Sequence, residues 1–460
     1  VAWGHGVNRF RPLGMTRVMS SRASLGALWD ATQADADYQW PWTRSVRTGS
    51  QWSSSIDLSL ALGQDPARES AMELRRQAVS NFVRVPLLFE RFAGMALGTC
   101  ASDFWATFTV VPLRALVGLV HFARSVGTHP GVDSYRKGVL GKRKESPVVL
   151  EDESTRDHEQ ALRVATLGVD TAHLTLFLLS TAVLFMFDVS RIYHAIRGQS
   201  VIKLYVVVNV VELFDKMLSS FGVDVLEGLG ASICSFVDLA WRHSSRSRLS
   251  PLFRQLLAEF AIATVYVVLH AVMLLSWVVT LNVAVNSQNN MLLTLLVSNN
   301  FVELKGSALK SLRVHNLFQV ACGDGVERFQ LSMFLLVMLV YTHGDRRLLL
   351  VWLLIYIVEV VIDWTKHSFV VKFNRISCGA YSTFLITLCK DFSERGRYIA
   401  RSLGGSGASK RLGFVTIPLA AVVTRMTLKA FLHLPVPLCL AAIVALLVAK
   451  VALDSVLRAL

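Results

Sequence analysis

The stretch EFAIATVYVVLHAVMLLSWVVTLNVAV, residues 259–285, decides the fold of this chain. After Glu259 it contains no Asp, Glu, Lys or Arg. A helix rises about 1.5 Å per residue, so this run crosses a hydrocarbon core of about 30 Å with some tilt. Because a bilayer leaves no water for backbone groups, a helix is the expected form of the segment. The sequence therefore predicts a membrane-spanning helix here.

Further apolar runs lie on both sides of this stretch, at 104–122, 165–187, 329–341, 348–364, 412–426 and 434–453. Across its 460 residues the chain is 53% hydrophobic and only 17% charged. Soluble domains carry about 25% charged residues. We predict an all-α, polytopic helical membrane protein with about six to eight transmembrane helices, together with amphipathic or re-entrant segments.

Three regions are expected along the chain. Residues 1–80 are polar and weakly periodic, which is typical of a poorly ordered N-terminal region. Residues 81–430 hold most apolar runs and form the predicted membrane domain, with charged loops at 124–163 and 244–254. Residues 431–460 form a C-terminal transmembrane helix. The first residues lack an apolar h-region, so no cleaved signal peptide is expected.

The formal net charge of +14 favours contact with anionic lipid headgroups. It would also allow nucleic-acid binding, but no recognition module accompanies the basic residues, so the lipid bilayer is the predicted partner and no nucleic acid is expected. The six cysteines are scattered and form no C-x-x-C pair. This spacing argues against a dense disulfide framework and a structural zinc site, and no cofactor is predicted.

The segment 197–228 is apolar but interrupted by polar residues at near-helical spacing, among them Asn209, Glu212 and Lys216. Its helix either lies in the membrane interface or turns this polar stripe toward other helices. At its start, Arg197, Gln199, Ser200 and Lys203 are candidates for holding lipid phosphates. Alternatively, Arg197 pairs with Asp188 and fixes the joint.

Glu359, Asp363 and His367 are spaced four residues apart and share one helical face, and Lys366 is placed to pair with Asp363. Carboxylates with an imidazole suit a metal or proton site. The simpler interpretation, which we favour, is that this polar face meets other helices.

An asparagine-rich stretch surrounds a short apolar core at 291–297. These amides either line a polar pore or satisfy the backbone of a re-entrant turn, and we favour the turn. The candidate polar residues here are Asn282, Asn286, Asn299, Asn300, Glu303 and Lys305. The Gly323-Asp324-Gly325 sequence predicts a further turn.

Several sequence blocks resemble the transmembrane anterior posterior transformation family. They are IRGQSVIKLY at 196–205, LNVAVN at 281–286, SNNFVELKG at 298–306, NLFQ at 316–319, ERF at 327–329, DWTKH at 363–367 and KFN at 372–374, with RVP at 84–86 and FTVVPLR at 108–114 upstream. The resemblance covers about residues 80 to 430. It implies residence in the endoplasmic reticulum membrane, cooperation with a SUN-domain-like partner that protects folding proteins, and a link to secretory and ciliary traffic. It implies no catalytic activity.

The sequence contains no recognisable catalytic constellation: it lacks a nucleotide-binding Gly-rich motif and a G-x-S-x-G element. The first hypothesis is therefore a non-enzymatic organiser of partner proteins in the endoplasmic reticulum membrane, with the Golgi or the ciliary base as alternative locations. The alternatives are an ion or small-solute channel or transporter, and a lipid-handling protein.

Overall fold

A computed structural model describes residues 66–128, 147–241, 246–286, 311–341, 346–394, 407–432 and 435–459, together with Leu304 and Gly306. The chain divides into two compact units, Val1–Ala71 and Met72–Leu460. All sites discussed below lie in the second unit.

The described residues form helices and no strand, which confirms the all-α class. In chain order the helices are α1 (Pro66–Phe108), α2 (Val110–Thr128), α3 (Pro147–Met186), α4 (Val189–Arg197), α5 (Val201–Trp241), α6 (Arg246–Asn286), α7 (Val314–Tyr341), α8 (Arg346–Asn374), α9 (Ala380–Ser393), α10 (Gly407–Leu412), α11 (Thr416–Leu432) and α12 (Val436–Ala459).

Four described segments are long and apolar enough to cross a bilayer: Val79–Val120, Leu162–Met186, Ser250–Ala284 and Pro437–Ala459. Thr416–Leu428 is a shorter apolar helix. The expected runs at 329–341 and 348–364 lie within α7 and α8, which also carry charged residues. The polytopic character is confirmed, while a count of six to eight spans stays a prediction.

Some predicted boundaries are wrong. The expected loop at 124–163 is helical at both ends, since α2 continues to Thr128 and α3 begins at Pro147. The predicted basic loop at 244–254 ends early, because α6 begins at Arg246. Gly323-Asp324-Gly325 lies within α7 and forms no turn. Packing of a long helix overrides the weak helix propensity of two glycines.

Helices α5 and α6 pack closely at Gly222. A Cβ atom built on this glycine would lie 2.9 Å from Cε1 of Tyr266 on α6 and closer still to the Cζ and hydroxyl of that ring. Tyr266 is buried, and its hydroxyl is 2.9 Å from Nδ1 of His270. The absence of a side chain at Gly222 is therefore what allows the two helices to meet here.

Two arginines in apolar helices bind polar groups of α3. The guanidinium of Arg114 on α2 binds the carboxylate of the buried Asp170 on α3, with Nε 2.9 Å from Oδ2. An arginine within an apolar helix needs a partner or an interface, and the partner here is Asp170. Arg425 on α11 donates to the carbonyls of Leu184 and Phe187 at 3.1 Å each, which caps the end of α3.

Candidate functional site

Arg328 on α7 lies at the centre of a buried charged network. Its side chain is 1% exposed. Nε donates to Oδ2 of Asp363 on α8 at 2.7 Å, and Nη1 donates to Oε1 of Glu90 on α1, also at 2.7 Å. The planar guanidinium is suited to this task because its fork of donors binds two carboxylates at once. Arg328 thus ties three helices together.

A second set of contacts continues the network through Lys366 and His367 on α8. Nζ of Lys366 lies 3.1 Å from Asp363 and 2.8 Å from Oδ1 of Asp324 on α7. Nε2 of His367 is 2.8 Å from the other oxygen of Asp324. Nδ1 of His367 is 2.8 Å from the hydroxyl of Tyr381 on α9. The network therefore reaches a fourth helix.

Phe89 on α1 forms an aromatic wall for the network. Its ring stacks on the imidazole of His367 with centroids 4.0 Å apart, and the guanidinium of Arg328 lies 5.0 Å from its centroid. A ring face favours a nearby cation and excludes water from the ion pairs. Neighbouring residues Phe89 and Glu90 thus contribute a ring and a charge to the same cluster.

The charges of this network nearly balance. Arg328 and Lys366 are matched by three carboxylates, those of Glu90, Asp324 and Asp363. Burial by itself would raise the pKa of Asp324, but Lys366 and His367 hold that pKa well below its ordinary value. Asp324 therefore remains a carboxylate, bound by Lys366 and His367.

A cavity of about 900 Å³ adjoins the network, and Asp324 belongs to both. Helix α5 forms one wall with the stripe that the sequence singled out, including Glu212, Lys216 and Ser219. The stripe thus turns toward other helices, which was the second of the two expected arrangements. Helices α6 to α10 and Gly413, which follows α10, supply the remaining wall residues.

Acidic side chains outnumber basic ones in the described cavity lining, with eight carboxylates against three lysine or arginine side chains. The carboxylates are Glu212, Asp215, Asp224 and Glu227 of α5, Asp324 and Glu327 of α7, Glu359 of α8 and Asp391 of α9. The cations are Lys216, Lys410 and Arg411.

The cations of the cavity are bound to its own carboxylates. Lys216 pairs with Glu212 at 3.1 Å, and Lys410 pairs with Glu227 at 2.9 Å. Arg411 binds Asp391. Two further wall carboxylates have partners behind the wall: Asp215 lies 2.8 Å from Nε2 of His270, and Asp324 binds Lys366 and His367.

The structure divides the predicted Glu359, Asp363 and His367 face. Asp363, Lys366 and His367 enter the network, and the predicted pairing of Lys366 with Asp363 is confirmed. Glu359 instead lines the cavity and is 9% exposed. No described residues form a group of three or more His, Cys, Asp or Glu arranged to hold a metal ion. The polar face meets other helices, as the simpler interpretation states.

The residues predicted around the start of α5 do not form one site with this network. Asp188 caps α4 by accepting from the Ser190 amide at 3.0 Å, and it pairs with Arg191 at 3.3 Å. The expected pairing of Asp188 with Arg197 is thus replaced by a nearer arginine. Gln199 donates to the Ala195 carbonyl at 3.2 Å. The four candidate phosphate-binding residues are all exposed: Arg197, Gln199, Ser200 and Lys203. Their contact with lipid headgroups stays a prediction.

The asparagine-rich stretch is described only at its start. Asn282 lies in α6 and is half-buried, and Asn286 is the last residue of that helix. Asn299, Asn300, Glu303 and Lys305 lie outside the described residues, so their predicted role remains a prediction.

Four network residues were missed as site residues by sequence reasoning: Glu90, Asp324, Arg328 and Tyr381. Arg328 carried a signal, because an arginine beside the apolar run 329–341 requires a partner. Glu90 had no comparable signal, since it is 238 residues away from Arg328 in the chain.

Comparison with known proteins identifies the family. Residues 166–460 match the model described as "Eukaryotic membrane protein family". The chain belongs to this family. It is 34% identical over 380 residues to "Protein TAPT1 homolog" of Dictyostelium discoideum and 30% identical over 369 residues to "Transmembrane anterior posterior transformation protein 1 homolog" of Xenopus laevis. Each match covers 78% of this chain, with 41% and 60% of the relatives covered.

A further relative is "Endoplasmic reticulum membrane protein 65" of Schizosaccharomyces pombe, 30% identical over 382 residues and covering 78% of this chain and 54% of the relative. Its name agrees with the endoplasmic reticulum membrane location implied by the resemblance, and that expectation is confirmed at this level. The chain spans about two fifths to three fifths of the length of these relatives. No solved structure matches the chain.

Proposed function

We propose that this chain is a non-enzymatic membrane protein of the endoplasmic reticulum that binds a partner protein within the bilayer. Through that partner it supports the folding of other proteins, or their traffic through the secretory pathway and toward the cilium. A partner with a SUN-like domain is the candidate that the family resemblance suggests.

The observation that carries this proposal is the uncovered surface of α12. Only 12% of its most apolar 18-residue segment is buried by the rest of the chain, against 39% to 50% of the corresponding segments in the other three candidate spans. Its exposed side chains include Ile443, Val444, Val448 and Val451. Among the four candidate spans of the described residues, this one is covered least by the chain's own helices, so it offers the largest face to a transmembrane helix of a partner.

The C-terminal part of α12 is fixed to the rest of the chain. Ser102 of α1 donates to Asp454 at 2.5 Å, and Lys450 binds the same carboxylate. Leu457 packs against Gly98, where an added Cβ would lie 2.7 Å from Cδ2 of the leucine. This attachment presents the outer face in a defined orientation, which reduces the entropy lost when a partner binds.

Purification of the tagged protein from its native membrane in mild detergent tests the proposal. We expect one membrane protein to be recovered with it in stoichiometric amount. The variant Val444→Trp/Val448→Trp should reduce this recovery, because the two residues lie one turn apart on the outer face. Leu178→Trp/Leu179→Trp on α3 is the control, since these leucines are also exposed but belong to another span.

Two results contradict the proposal. Recovery of the chain alone under several mild detergents argues against a stable partner. Equal loss of the partner in the α3 control argues that α12 is not the contact face.

A further inference from the structure

Helix α5 presents two chemically different sides to its surroundings. One side carries an apolar stripe of large side chains that are 42% to 59% exposed: Val206, Val210, Leu213, Phe214, Met217 and Phe221. At about 100° per residue, these side chains fall within a sector of about 100° around the helix. The opposite side lines the cavity beside the charged network and includes Glu212, Lys216 and Ser219. The helix therefore separates an apolar surface from the cavity.

Contacts with α6 place this part of α5 at the depth of a membrane span. Asp215 lies 2.8 Å from His270. Further along α5, Gly222 lies against Tyr266, so the two helices run antiparallel. The midpoint of the Ser250–Ala284 span of α6 is residue 267. The cavity-lining part of α5 thus lies beside the middle of that span.

Charged groups at this depth are exposed in a way that lipid does not permit. Lys216 pairs with Glu212 at 3.1 Å, yet its side chain is 51% exposed. Glu227 pairs with Lys410 at 2.9 Å and is 56% exposed. Ionised groups at membrane depth face other helices or water, because hydrocarbon offers them no hydrogen bonds. Lys216 and Glu227 both lie on the cavity wall, so the cavity supplies the water that they need.

The size of the cavity and one further wall residue agree with hydration. A volume of about 900 Å³ holds on the order of 30 water molecules at about 30 Å³ each. The indole N–H of Trp277, on the same wall, is buried and has no hydrogen-bond partner among the described residues. Buried N–H groups are seldom left unpaired, and a water molecule in the cavity is an acceptor for this one.

The apolar stripe is suited to lipid rather than to water. Large exposed apolar patches are rare on soluble proteins. From Val206 to Phe221 the stripe extends about 22 Å along the helix, most of the roughly 30 Å of a hydrocarbon core. At the same depth α6 exposes more than half of Ile262, Val265 and Leu269. The bilayer that covers these side chains of α6 therefore covers the stripe of α5 as well.

We propose that α5 crosses the membrane beside α6, with its apolar stripe against lipid acyl chains and its opposite side lining a water-filled cavity at bilayer depth. The cavity admits small hydrophilic solutes from the aqueous phase. Because the charged residues at 212–227 line the cavity, the helix crosses although its sequence contains no long uncharged run. This inference concerns a surface separate from the α12 face and does not rest on the proposed function.

Spin labels at matched positions of α5 test the proposal in phosphatidylcholine liposomes that contain the purified full chain. Residues two apart are about 200° apart around a helix but only about 3 Å apart along it. Ser219→Cys therefore places a label in the cavity, and Met217→Cys places one on the stripe at nearly the same depth. Val208→Cys and Val210→Cys form a second pair of the same kind. The half-buried native cysteines are first replaced by serine: Cys234, Cys378, Cys389 and Cys439.

Two relaxation agents report the surroundings of each label. Molecular oxygen concentrates in hydrocarbon, whereas the nickel complex of ethylenediaminediacetate stays in water. We expect the nickel complex to relax the cavity labels at least about ten-fold more strongly than the stripe labels, since transfer of polar groups into hydrocarbon is unfavourable. Oxygen should relax the stripe labels more strongly than the cavity labels. Size-exclusion chromatography before reconstitution identifies the folded variants, and either pair suffices for the comparison.

Each contrary result overturns a stated part of the proposal. Nickel access as low at positions 208 and 219 as at 210 and 217 would show that the cavity is dry. High nickel access at all four positions would place α5 in water, outside the bilayer. Low access of both agents at 210 and 217 would show that protein, such as a second copy of this chain, covers the stripe in place of lipid.

Discussion

The substitution Gly222→Ala gives a sharp test of how α5 and α6 pack. An added Cβ would lie 2.9 Å from Cε1 of Tyr266 and would overlap its Cζ and hydroxyl. Ordinary carbon contacts are about 3.5–4.0 Å, so the ring or the helix must move by roughly 1–2 Å. Tyr266 is 3% exposed, and it has little room to move.

The expected cost follows from three contributions. Overpacking a well-filled interior costs about 1–3 kcal/mol. Displacement of the tyrosine hydroxyl from His270 costs about 1 kcal/mol more. Alanine offsets about 1 kcal/mol because it is the better helix former. The net expectation is a destabilisation of about 2 kcal/mol.

Gly228→Ala on the same helix is the matched control. Its added Cβ would meet nothing within 4 Å. Only the helix propensity changes, so this variant should be neutral or up to about 1 kcal/mol more stable than the native chain.

Thermal unfolding in detergent, followed with a thiol-reactive fluorogenic dye, measures the difference. Cys100 and Cys322 are 0% and 2% exposed, so their labelling reports loss of the folded core. At one fixed scan rate we expect the Gly222→Ala midpoint about 2–5 °C below that of Gly228→Ala. A second change, Tyr266→Leu, should cost less in the Gly222→Ala background than alone, because the clash is then removed. Equal midpoints for the two alanine variants would refute the close contact at Gly222.

Three further predictions concern the polar contacts. Arg328→Met leaves Asp363 and Glu90 without their shared cation and should destabilise the protein by about 3–5 kcal/mol in the same thiol assay, while Arg84→Met, at an exposed position, should have little effect. Arg114→Leu should lower the folded yield on size-exclusion chromatography, and the double variant Arg114→Leu/Asp170→Leu should recover most of it; additive losses would contradict the pairing. Arg425→Met removes two hydrogen bonds to the end of α3 and should increase hydrogen exchange around residues 185–190 by about ten-fold, whereas unchanged exchange would contradict the capping role.

Much of the fold was predictable because the bilayer imposes one strong constraint on the sequence. A long uncharged run such as 260–285 must be helical, and α6 contains it. Contacts between residues near in sequence were equally predictable, as the Lys366–Asp363 pair shows. The ends of the helices were less predictable. Residues 147–161 are rich in charge and were predicted as part of a loop, but they form the first part of α3.

The partners of the polar residues were not predictable from spacing. Glu90 and Tyr381 complete the network from helices α1 and α9, and their placement depends on how the helices assemble. Asp324 was misassigned because flanking glycines favour a turn when only local preference is considered. Its burial among Lys366 and His367 is a tertiary effect.

The same geometry explains why the predicted acidic face of α8 is divided between two environments. Each residue turns a helix by about 100°, so a step of four residues leaves a side chain rotated by about 40°. From Glu359 to His367 the rotation reaches about 80°, enough to direct the first residue to the cavity and the last to the network. Arg328 and Lys366 both bind the carboxylate of Asp363, the middle residue of this face. Residues that the sequence places on one face of α8 thus belong to two different environments, the cavity and the charged network. Asp324 on α7 lines the cavity and also binds Lys366 of the network.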